Sequence, residues 1–135
     1  MPERVERIGD ARGALVAVVL RGGDDPDATT FVTPDEAALQ VGLIVYPAGG
    51  EVQRHRHRPI ERRLVGTPEV LVVRKGRCRV EIFDDDHRHL ATCELAAGDV
   101  VTLLSGGHAF QMLEDTVLLE VKQGPYPGPD EKERF

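Results

Sequence analysis

A chain of 135 residues with a formal net charge of -6 and two cysteines is sized for one domain, 1–135, that buries roughly two-thirds of its unfolded surface without disulfide staples. The acidic balance argues against a nucleic-acid partner, which would select an excess of Lys and Arg. The run GALVAVVL falls far short of the roughly 20 apolar residues that cross a bilayer, and it lacks the flanks of a secretory leader. The expectation is a cytoplasmic protein with no nucleic-acid and no membrane partner.

In chain order, the pattern is short strands punctuated by turns. GALVAVVLR (13–21) leads into the turn cluster GGDDPD. PDEAALQ (34–40) is the best helix signal, with Thr33 placed to cap and Pro34 at the first helical position. LQVGLIVYP (39–47) reads as a strand ending at Pro47 and the Gly49-Gly50 pair. EVLVVRKG (69–76) turns into RCRVEIF (77–83), DDDHR (84–88) makes a hairpin tip, and HLATCEL (89–95) returns. VVTLL (100–104), HAFQML (108–113) and TVLLEVK (116–122) follow, and QGPYPGPDEKERF ends the chain as an extended surface tail, 123–135. About nine or ten strands with no long helix between them predict an antiparallel sandwich or barrel. In RCRVEIF the charged residues alternate with Cys78, Val80 and Ile82, so one face is core. Pairing Phe83 with Leu90 sets Val80 opposite Cys93 and Cys78 opposite Leu95. The two thiols are then diagonal neighbours, small reduced core residues and not a disulfide.

Two HRH triplets raise the question of a metal. Residues i and i+2 of a strand share a face, so either pair of imidazoles could reach one ion. His87 and His89 follow three aspartates at the hairpin tip, where surface histidines are the simpler reading. His55 and His57 sit in the arginine-rich stretch RHRHRPIERR (54–63), framed as G-x5-H-x-H-x11-E-x6-G from Gly49 through Glu69 to Gly76.

At these residues the sequence resembles the cupin superfamily. Its first motif joins a glycine turn, an HxH strand, a glutamate and a later glycine; here PIERRLVG lengthens the middle by about eight residues. Gly98-Asp99, VVTLL, SGG and His108 resemble the second motif, with Leu104 where the family has proline and Met112 where an asparagine is sometimes found. The ending EVKQGPY is similar to small sugar-epimerase-like cupins. The resemblance implies an all-β, single-domain double-stranded β-helix, or jelly-roll barrel, with its core at 39–122.

It also implies a metal site of His55, His57, Glu69 and His108. Three imidazoles and a carboxylate suit a divalent transition ion such as zinc, iron, nickel or manganese, with positions left open for substrate. Glu61 is the rival carboxylate. It stands four residues after His57, the family spacing, but no glycine follows it by seven, whereas Glu69 opens an apolar strand where a metal would offset its burial. Glu61 is therefore assigned the catalytic acid–base role. Arg62 and Arg63 are placed to clamp a carboxylate or phosphate, or else belong to a solvated loop.

Two functions remain open. One is an enzyme on a small polar molecule such as a sugar or keto acid, by isomerisation or epimerisation, or by dioxygenase-type chemistry on iron. The other is a non-catalytic cupin that binds a small ligand or a metal. A metal-free epimerase using a histidine base would have only Tyr46 or Tyr126 as its acid. A homodimer is expected because exposed sheet edges need cover.

Overall fold

The computed structural model describes residues 4–23 and 25–135; Asp24 of the GGDDPD turn lies outside them. The described residues are all-β, with no α-helix. The strands are β1 (Val5–Gly9), β2 (Leu15–Leu20), β3 (Thr30–Phe31), β4 (Gly42–Leu43), β5 (Glu69–Lys75), β6 (Arg77–Phe83), β7 (His89–Ala96), β8 (Val100–Leu103), β9 (Gly107–Met112) and β10 (Val117–Lys122). They form three antiparallel sheets: β1-β2-β8-β5-β10, β7-β6-β9, and the small pair β3-β4. No described helix is long and apolar enough to cross a membrane.

The run LVAVVL of β2 is almost continuously buried because both of its faces are covered. On one side Ala17 and Val19 join Leu71, Val73, Cys78, Val80, Ile82 and Leu95 in the main core between the two large sheets. On the other, Val18 and Leu20 pack with Val32, Val41 and Leu43 from around the β3-β4 pair. The alternation in β6 is realised, with Cys78, Val80 and Ile82 fully buried. Val80 lies opposite Cys93 and Cys78 opposite Leu95, but a bulge after Ile82 puts His89, not Leu90, opposite Phe83. Both cysteines are free and buried, and burial pushes both thiols up, which keeps them protonated and unreactive.

Three segments depart from expectation. Residues 34–40 form a turn and not a helix: the Gln40 amide donates to the carbonyls of Pro34, Asp35 and Ala37, taking acceptors that a helix would use. Val41 N–H donates to Thr33 Oγ1, so the threonine side chain fastens the exit of that turn. The strand expected over 39–47 shrinks to Gly42–Leu43. From Ile44 to Gly66 the chain then runs as a long arm with no regular structure, and only Val45 in it is half-buried.

Two turns position the working end of the fold. Gly76 joins β5 to β6 at φ +89°, and a Cβ there would collide with the carbonyl oxygen of Asp115. At the β6–β7 tip the buried Asp84 accepts hydrogen bonds at Oδ1 from the N–H groups of Asp86 and Arg88, both at 2.9 Å. Asp84→Ala leaves those two donors to water and is expected to cost about 1–2 kcal/mol in a urea melt.

Candidate functional site

Glu69 and His108 are separated by 39 residues of sequence, yet they meet at the floor of an open cleft of about 1110 Å³. Glu69 opens β5, between Leu103 of β8 and Lys122 of β10. His108 lies on β9 opposite the buried Ile82 of β6, so its ring is on the inward face of its sheet. Its Nε2 stands 3.3 Å from Glu69 Oε2, and its ring meets Phe110 edge-on. That approach is close enough for charge attraction but poorly aligned as a hydrogen bond, since Oε2 is buried without a hydrogen-bond partner among the described residues. A carboxylate oxygen left this way is costly unless the site receives something that binds it. Burial pushes the Glu69 carboxyl above the ordinary glutamate range. His108 pulls it back, Glu120 adds to the rise, and Lys122 and Lys132 oppose it.

The cleft is acidic. Glu69, Glu81, Asp84, Asp85, Glu131 and Glu133 line it against only Lys132 and Arg134. One wall is the tail, predicted to be extended. Within it Pro129–Glu131 forms a short 3-10 turn, and Phe135 stacks on His87 with ring centres 4.0 Å apart and meets Phe83 edge-on. Gly107 makes room for this, because a Cβ there would stand 2.6 Å from the Phe135 ring. The tail's part in the cleft was not legible in its Pro-Gly-charge composition. The dense run DEKERF was the one hint, as a reason for charge to gather there.

The other expected site residues lie elsewhere. His55 and His57 are exposed on the arm, with ring centres 5.3 Å apart and no strand beneath them. His55 Nδ1–H donates to the Gln53 carbonyl at 2.7 Å, which leaves Nε2 as the available lone pair. Glu61, Arg62 and Arg63 are exposed on the same arm, and none of them lines the cleft. Among the described residues no three His, Cys, Asp or Glu side chains gather as metal donors. Of the four donors expected for a metal, Glu69 and His108 are brought together, and the two arm histidines are not with them. Of the second HRH triplet, His87 lines the cleft, stacked on Phe135, and His89 Nε2 lies 2.6 Å from Thr92 Oγ1 on the surface.

No protein-family model, curated protein or solved structure matches the chain.

Proposed function

We propose that this chain is a cupin-type jelly roll that acts on a small uncharged polar molecule, such as a sugar, by proton transfer between Glu69 and His108. The observation that carries the reading is the meeting of these two side chains in the cleft, each from one half of the motif pair. Strand order supports the fold reading, with β8-β5-β10 facing β7-β6-β9 across one core. The acidic lining favours a neutral, hydroxyl-rich substrate over a keto acid, whose carboxylate would be repelled.

In this reading the Glu69 carboxylate takes a proton from the carbon next to a carbonyl while His108 donates one to the carbonyl oxygen. Return of the proton from Glu69 to the former carbonyl carbon, as His108 takes the proton of the neighbouring hydroxyl, isomerises the sugar. Delivery of a solvent proton to the opposite face of the original carbon, as His108 recovers its proton from the enol oxygen and Glu69 releases its own to solvent, epimerises it. No oxidant or reductant is consumed. A buried carboxyl with a raised proton affinity is suited to such work.

Incubating the protein with aldoses and ketoses in deuterated water and following carbon-bound deuterium by NMR tests the reading. Wild type is expected to exchange the proton next to the carbonyl, and His108→Ala to lose that exchange by about 10²–10⁴-fold. No exchange with any sugar would sink the enzymatic reading and leave the binding cupin.

A second reading has its own observation: the unpartnered buried oxygen of Glu69 in an acidic cleft is suited to a divalent cation. Elemental analysis of protein purified without chelator, compared with a Glu69→Gln/His108→Ala variant, tests it. Near-stoichiometric metal that the variant lacks would support it, and none in either after soaking with iron, zinc, nickel and manganese would reject it.

A further inference from the structure

The arm, residues 44–66, carries five arginines against two glutamates, a net charge of +3 in a chain of -6, so the remainder carries -9. None of the five arginines makes an ion pair or a side-chain hydrogen bond with a described residue. The arm also displays Ile44, Tyr46, Val52, Ile60, Leu64 and Val65 to solvent, six of the thirteen exposed large apolar side chains of the described residues. An unstructured segment of this length inside a compact domain is unusual unless it has work to do.

The same chain presents a complementary surface. β9 and β10 are free edges of their sheets, and Met112, Val117, Leu119 and Val121 on them are about half exposed. By register His108 and Met112 of β9, and Glu120 and Lys122 of β10, share a face with core residues, yet all four are exposed. That side of the sandwich is open. Beside it lies the acidic cleft, whose lining from the arm is limited to the root residues Val65 and Gly66.

We infer that two copies of this chain exchange arms, the basic stretch 54–63 of each lying in the acidic cleft of the other while its flanking apolar residues cover the partner's β9 and β10 edges. The charges are opposite, and both surfaces are unsatisfied within one molecule. The arm's 23 residues fall within the roughly 20–30 per side of a stable interface. A chain that bears both halves satisfies both through a two-fold axis. Exchange would also carry His55 and His57 toward the Glu69–His108 floor. That consequence alone rests on the reading of the site above; the association does not.

The test is oligomeric state by sedimentation velocity, with charge reversal. Wild type is expected near twice the 14.8 kDa chain mass, weakening as salt is raised. Arg56→Glu/Arg58→Glu on the arm and Glu81→Lys/Glu133→Lys in the cleft should each weaken self-association by roughly 30- to 1,000-fold, because like charges then face one another. An equimolar mixture of the two variants should associate again, since each arm then meets a cleft of opposite sign. A monomeric wild type would overturn the inference, as would a dimer indifferent to both reversals. Two variants that are monomeric alone and stay so when mixed would mean that the arm folds into its own cleft, and would overturn it too. All four substituted positions are solvent-exposed, and a far-UV spectrum with a thermal melt separates lost association from lost fold.

Discussion

Glu69→Gln is expected to make the protein more stable at neutral pH while it lowers carbon–deuterium exchange by about 10²–10⁴-fold. The opposite signs come from one cause. Burial raises the folded-state pKa of Glu69 above its ordinary value of about 4.3, so the folded chain keeps a proton that the unfolded chain has lost. Wild-type stability therefore falls as pH climbs from about 4.3 through the raised folded pKa, and it is level beyond that. Glutamine has no such step. Thermal melts of the two proteins should coincide below about pH 4, with the variant progressively higher as pH rises. A variant less stable than wild type at pH 7 would mean that His108, Lys122 and Lys132 outweigh burial. The stabilisation itself would mark a residue kept for its work and not for the fold.

Asp99→Ala is expected to remove about 2–4 kcal/mol of stability, a fall of roughly 6–15 °C in Tm for a chain of this size. The buried carboxylate joins three parts of the fold at one point. Its Oδ1 accepts from Gly22 N–H at 2.8 Å, and its Oδ2 accepts from Ala96 N–H at 2.9 Å and Arg21 Nη1 at 3.1 Å. These contacts tie the end of β2 to the β7–β8 turn, 77 residues away in the chain. Removing the side chain strands two backbone donors and leaves Arg21 with Glu6 and the Glu94 carbonyl alone. Surface pairs such as Arg77–Glu94, both about half exposed, should cost less than about 1 kcal/mol when broken. A urea series comparing Asp99→Ala with Arg77→Ala checks the ranking, and equal losses would refute it.

The sequence was most legible where one strand carries its own explanation. In β6 the period-two alternation named the buried face, and with it the Val80–Cys93 and Cys78–Leu95 pairings. Only the bulge beside Phe83 escaped, since nothing in local composition signals a one-residue slip. β1 was missed because VERIG shows no clean alternation, and its place comes from pairing with β2. LQVGLIVYP was apolar enough for a long strand, but apolar character declares a need for cover without naming what provides it. Among the described residues only Gly42–Leu43 of it pairs as a strand, with β3. The same holds at the site. Glu69 and His108 were placed by residues adjoining rigid strands, whereas His55 and His57 were read as strand residues in a stretch that has no neighbouring strand to pair with.

The arm also divides the molecule along its length. Every strand before it, β1 to β4, belongs to one half of the chain, and every strand after it, β5 to β10, to the other. The halves are knitted by the β2–β8 ladder, from Ala17 opposite Leu103 to Leu20 opposite Val100, and by a core to which the first half gives Ile8, Val16, Ala17 and Val19. A protease that cuts after the exposed arginines of 54–63 would sever the covalent link without touching that ladder. The two fragments should then travel as a single native particle until denatured, and could be made separately and brought together to rebuild the fold.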